Sequence, residues 1–142
     1  MRVLVIHGPS LNLLGERQPE IYGTQTLSEM NEFIVSSVRD AGIKVDFVQH
    51  NDEGSIIAAI HDARRTHDAI VINPGAYSHY SYAIADAIAA VHIPVAEAHL
   101  SNIAARELHR RSSVTASACV GSVSGFGARS YVVAINAIAQ SF

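Results

Sequence analysis

Residues 2–23, RVLVIHGPSLNLLGERQPEIYG, decide how this chain is read. Val3 to Ile6 form a short apolar run of the kind that makes one buried strand, and the run empties into a polar loop carrying Ser10, Asn12, Arg17, Tyr22 and three glycines. A loop that only returns the chain to its next helix has little use for an arginine and a tyrosine. The composition asks for a chemical explanation on a rigid scaffold.

Outward from this segment, apolar runs recur at Val45 to Val48, Ala69 to Ile72, Val95 to Ala98 and Val114 to Val120, each read as a strand. Segments with helical spacing lie between them. Leu27, Met30, Ile34 and Val38 mark a helix capped near Thr26 or Ser28 and stopped at Gly42, and Ile56, Ile57, Ile60 and Ala63 mark a second. A third is expected from His79 to Val91, ahead of Pro94, and a last from Gly127 to Gln140. Alternating strand and helix implies parallel crossovers and a sheet covered on both faces. Five strands in 142 residues predict a single α/β domain over 1–142 with a flavodoxin-like doubly wound five-stranded parallel sheet. In such sheets ligands bind beyond the carboxyl ends of the strands. The polar segments after the first, third and fourth strands, Ser10 to Tyr22, Asn73 to His79 and His99 to Arg110, are therefore expected to converge on one edge.

Composition narrows the function. The chain is 49% hydrophobic and 16% charged, so an assembly of subunits is expected to cover some of its apolar surface. A net charge of −3 supplies no basic field for a polyanion, and nucleic-acid binding is not expected. Asp86, His92, Pro94 and Glu97 interrupt the most apolar stretch, so no membrane span is expected. The single cysteine, Cys119, cannot form an internal disulfide, and no apolar leader precedes the first strand; a cytoplasmic protein is expected. Cys119 itself, placed in the fifth strand, reads as inert. The single lysine, Lys44, opens the second strand, a poor position for imine chemistry. His50, His61, His67 and His92 have no ligand spacing with a cysteine or carboxylate pair, so no metal is expected. Gly121, Gly125 and Gly127 lack the lysine of a phosphate loop and read as close backbone packing.

Tyrosine takes a proton only as phenolate, and an ordinary pKa near 10 calls for positive charge beside it. Arg17 and Arg106 can provide that charge. His99, between Glu97 and Ser101 in EAHLSN, can act as the complementary acid, with the carboxylate holding one ring nitrogen. A base and an acid on different loops suit proton abstraction with elimination. Asn73, His79, Ser101 and Arg110 remain as neutral donors and one cation for a small hydroxylated carboxylate. Each has a plainer alternative. Tyr22 can pack over its loop, His99 can be a satisfied buried histidine, His79 can cap a helix, the arginines from 106 to 111 can be a solvated face, and Asp86 can pair with a neighbour's arginine.

The blocks HGPSLNLLGERQPEIYG, INPGAYSHYSYAIADA, EAHLSNIAARELHRR and GFGARSY resemble, in order and spacing, the type II 3-dehydroquinate dehydratase family over essentially the whole chain. The resemblance implies a flavodoxin-like subunit assembled as a dodecamer of four trimers. It implies cofactor-free anti elimination of water from 3-dehydroquinate to 3-dehydroshikimate, in the shikimate route or in quinate use. Tyr22 would be the base, Arg17 the stabiliser of its phenolate, and His99 the acid supported by Glu97. Arg106 would be the second arginine near the tyrosine, and residues 8–24 a catalytic lid. Asn73, His79, Leu100, Ser101 and Arg110 resemble the family's substrate-binding positions, and Asp86 the aspartate that reaches a neighbouring subunit's site.

The chain departs from the family pattern inside these blocks. The usual GPNLN reads Gly8, Pro9, Ser10, Leu11, Asn12, which shortens a donor where enolate charge develops. Gln18 replaces a glutamate beside Arg17, and Tyr80 stands where a threonine usually follows His79. Ser10 and Tyr80 together are expected to reshape the pocket, for a slower dehydratase or one acting on a related cyclohexanone acid. A ligand-binding protein without catalysis is the reading from another class. Against it stands the matched base and acid, for which a sensor has no use.

Overall fold

The computed structural model describes residues 1–142 as five parallel strands in the order β2-β1-β3-β4-β5, the flavodoxin-like doubly wound arrangement. The strands are β1 (Arg2–His7), β2 (Lys44–Gln49), β3 (Ala69–Asn73), β4 (Val95–His99) and β5 (Gly121–Ser124). The helices are α1 (Pro19–Tyr22), α2 (Leu27–Val38), α3 (Glu53–Ala63), α4 (Tyr82–Ala90) and α5 (Arg129–Ser141). No helix is long and apolar enough to cross a membrane.

The two-residue period of β1 divides the core. Val3 and Val5 face Met30, Ile34 and Val38 of α2 and Tyr131, Ile135 and Ile138 of α5. Leu4 and Ile6 face Ile56 and Ile60 of α3 and Ile84 and Ile88 of α4. Burial on both faces is why β1 and β3 read as unbroken apolar runs. Local chemistry starts the helices. Thr26 and Glu29 form a reciprocal capping box on α2, Asp52 accepts from Ser55 N on α3, and Ser81 accepts from Ile84 N on α4.

Two expected elements differ. The segment 114–120 is not a strand: it holds a 3-10 turn at Ala116–Ala118, and β5 starts only at Gly121, opposite Ala96. Ser113 Oγ accepts from Ala116 N at 3.0 Å, so a side chain takes the backbone donor that a ladder would need. Cys119 therefore lies beside that turn, outside any strand. Its thiol is inert for another reason: burial, aided by the Glu97 charge, pushes its pKa up to about 12. The third helix is also shorter than expected. Gly75–His79 form a 3-10 turn, and α4 begins after the Ser81 cap, which leaves His79 at the end of that turn and outside α4. Of the three late glycines, Gly125 is the closely packed one, where a Cβ would lie 3.1 Å from Asn102 Cβ; Gly121 and Gly127 have open space there.

β1 sits where the strand order reverses, so the chain segments leaving β1 and β3 part at the same point. They touch first. Gly8 N donates to Asn73 O at 2.8 Å, and a Cβ on Gly8 would lie 2.6 Å from that oxygen and 2.7 Å from Pro74 C. Beneath this contact His7 is fully buried, stacked on Phe47 with ring centroids 5.8 Å apart.

Burial lowers the His7 pKa from 6.5 to about 4, opposed by a hydrogen bond with Asn31. The unfolded chain binds this proton as pH falls below about 6.5, the folded chain only near 4. The contribution is thus complete above the unfolded value and lost on acidification, about 3 kcal/mol over that window. Urea titrations at pH 7 and pH 4.5 should show a larger loss of stability for the natural protein than for His7→Gln, by about 2 kcal/mol. Equal losses would mean that His7 is not held neutral.

Candidate active site

A cleft opens at the carboxyl ends of β1, β3 and β4, where the topology predicts it. Its lining includes Ser10, Arg17, Tyr22, Asn73, His79, His99, Leu100, Ser101, Arg106 and Arg110, so the three polar segments converge as expected. Two site candidates lie outside the lining. Glu97 is fully buried behind His99, and Asp86 is exposed on α4, away from this cleft within the chain. Tyr80 is not in the lining either. Its side chain is 59% exposed and meets the edge of Tyr77, so the expectation that it reshapes the pocket is corrected. The reason is local: Tyr80 follows the turn that points His79 inward, and its own side chain is turned out.

Tyr22 ends the short helix α1, which Pro19 opens and Gly23 closes at φ 82°. Two guanidinium groups flank its ring. Arg17 Cζ lies 5.2 Å from the ring centroid and Arg106 Cζ 5.7 Å, while Arg106 Nη1 donates to the Tyr22 hydroxyl at 3.3 Å and to Ser101 Oγ at 3.2 Å. The bond to Tyr22 raises the Arg106 pKa above its ordinary value, against the opposing effect of partial burial. Glu107, which the sequence reading passed over, tethers both arginines of this segment. It accepts from Arg110 Nε at 2.8 Å and lies 3.5 Å from Arg106 Nε, and the Arg110 bond is the main cause of a carboxyl pKa below the usual range.

His99 meets Glu97 Oε1 through Nε2 at 2.6 Å. That contact leaves Nδ1 as the ring nitrogen free for chemistry. Two hydroxyl groups complete the carboxylate's surroundings: Ser113 Oγ donates to Oε1 at 2.6 Å, and Thr115 Oγ1 donates to Oε2. A buried carboxylate needs such donors. The sequence reading names neither: Thr115 falls inside the expected strand 114–120, and Ser113 immediately precedes it. The one available signal was the density of hydroxyls in SSVTAS, unusual for a buried strand. The same segment orients His79, whose Nδ1 donates to Ser112 O at 2.7 Å and leaves Nε2 as its second polar atom.

Ser10 has left-handed backbone, φ 66°, with its N–H held by Asn51 Oδ1 at 3.0 Å. Asparagine occupies this region more readily than serine. Gln18 is also left-handed, φ 41°, and exposed beside Arg17.

Comparison with known proteins bears on the family. A family profile described as Dehydroquinase class II matches residues 1–139. A protein of Thermoanaerobacter pseudethanolicus named 3-dehydroquinate dehydratase is 53% identical over 137 residues, covering 96% of this chain and 93% of its own. One from Clostridium botulinum with the same name is 52% identical over 136 residues, covering 96% and 92%. The crystal structure of type II dehydroquinase from Butyrivibrio crossotus superposes with a TM-score of 0.95 at 45% identity, covering 98% of this chain and 97% of that one. With profile, relatives and structure agreeing over nearly the full length, this chain belongs to the class II dehydroquinase family.

Proposed function

We propose that the protein is a hydro-lyase that removes water from 3-dehydroquinate to give 3-dehydroshikimate, in shikimate or quinate metabolism. The observation that carries this reading is a tyrosine flanked by two guanidinium groups in the same cleft as a histidine backed by a buried carboxylate. Tyr22, as phenolate, takes a proton from the carbon beside the ketone, and the C–H electron pair moves into an enolate. Arg17 and Arg106 hold the phenolate and the negative charge of the transition state. The enolate re-forms the ketone and expels the β-hydroxyl, which leaves as water with a proton from His99. Return of the Tyr22 proton to His99 through solvent restores both groups. Glu97 keeps His99 oriented with Nδ1 toward the reaction. Asn73, His79, Leu100, Ser101 and Arg110 bind the substrate's oxygens and carboxylate, and residues 8–24 close over it as a lid.

The same reading places the chain in an assembly of trimers forming a dodecamer in the cytoplasm, with Asp86 serving a neighbouring subunit. What supports assembly is exposed apolar surface: Tyr82, Leu108, Phe126 and Phe142 are each more than 60% exposed.

Adding purified protein to 3-dehydroquinate and following the absorbance of the conjugated enone carboxylate tests the activity. No rise would overturn it. A Ser10→Asn variant belongs in the same assay, because a well-placed donor to a developing oxyanion is worth on the order of 3 kcal/mol. The variant is expected to turn over faster, by up to about a hundredfold, since asparagine offers an N–H donor and suits the left-handed backbone better. Equal rates would show that Ser10 imposes no penalty.

A further inference from the structure

Asn73 sits at the end of a buried chain of hydrogen bonds that none of the roles above uses. The direction of every bond in it follows from one backbone group. Gly75 N–H can only donate, and it donates to Asn73 Oδ1 at 3.1 Å. That decides which end of the amide is oxygen. Nδ2 therefore faces the Tyr131 hydroxyl at 3.0 Å, and the hydroxyl oxygen must accept. Tyr131 then has its own proton to place. The atom available is His7 Nδ1 at 3.2 Å, which must be unprotonated to receive it. The proton of the neutral imidazole consequently lies on Nε2, directed at Asn31 Oδ1 at 2.8 Å.

Tyr131 and His7 are both fully buried, and Asn73 is nearly so, which makes reversal of any bond costly. Turning the Asn73 amide over would set its NH2 against Gly75 N–H, donor on donor. Within this chain the second N–H of Asn73 is the donor left for the cleft that Asn73 lines. We propose that Tyr131, locked by His7 and Asn31, is a positioning residue that fixes the Asn73 amide so that this N–H is presented to an oxygen of the substrate. The site is thereby set from the core: α5 and β1 supply the support, and β3 supplies the contact.

The inference rests on the dehydratase reading of the cleft, and the test keeps the two apart. Steady-state constants on 3-dehydroquinate are measured for the natural protein, Tyr131→Phe, Asn73→Ala and the double variant. No turnover by the natural protein would remove the dehydratase reading and the inference with it. Given turnover, Tyr131→Phe, which keeps the ring and deletes only the oxygen, should raise KM roughly tenfold with kcat little changed. In the Asn73→Ala background the same change should move KM less than about twofold, because Tyr131 acts through Asn73. Multiplying effects, or an unchanged KM in Tyr131→Phe, would overturn the proposal while leaving the activity standing. Should Tyr131→Phe not fold, His7→Leu and His7→Gln read the same chain. Leucine, unable to accept from Tyr131, should raise KM, and glutamine, which can accept from Tyr131 and donate to Asn31, should restore it; equal KM values for the two would refute the chain.

Discussion

Exchanging Tyr22 for phenylalanine is expected to lower kcat about a thousandfold, with KM changed by no more than a few-fold. The ring would keep its contacts with Arg17 and Arg106, whose guanidinium carbons lie 5.2 and 5.7 Å from its centroid, so the loop loses no packing. What disappears is the oxygen that Arg106 reaches at 3.3 Å and with it the only group proposed to take the carbon-bound proton. Exchange of that substrate proton with D2O, followed by NMR, separates base from scaffold. The variant should catalyse neither exchange nor elimination. A variant that retained most of its turnover would transfer the role of base to another group.

The second large effect belongs to His99→Ala. Loss of the acid leaves hydroxide as the departing group, and kcat for elimination should fall by about a hundredfold to a thousandfold. Here the exchange experiment gives the opposite answer. Tyr22 and both arginines are intact, so the enolate still forms and the substrate proton still exchanges while little water is lost. If His99→Ala abolished exchange as well, the histidine would be acting on the first step, and the division of labour proposed above would be wrong. The natural partner of this variant is the Glu97 pocket, where Ser113 and Thr115 hold the carboxylate whose Oε1 lies 2.6 Å from His99 Nε2.

Much of the fold and most of the site were legible because their signals are local. Val3 to Ile6 and Ala69 to Ile72 are unbroken apolar runs, the Thr26 cap is one-residue chemistry, and strand order places the polar loops on one edge. The failures have a common physical cause, which is that a side chain's partner lay far away in sequence. Residues 114–120 alternate as a strand does, yet Thr115 turns toward a carboxylate 18 positions earlier. The third helix is expected from His79, yet that residue ends a 3-10 turn and its Nδ1 donates to Ser112 O, 33 positions on. Tyr131 falls within the expected last helix, and nothing near it in sequence announces that its hydroxyl reaches His7 and Asn73. Tyr80 erred in the other direction: adjacency to His79 suggested a pocket residue, and the turn puts it outside.

The close approach at Gly8 has an evolutionary meaning. With its would-be Cβ 2.6 Å from Asn73 O, the base of the first loop meets the base of the third strand's loop at a joint with no room for a side chain on Gly8. A side chain at this joint would force the two loops apart. Diversification of such a site is therefore steered away from the joint, and the two departures from the family pattern that this chain carries in the first loop, Ser10 and Gln18, both lie beyond it.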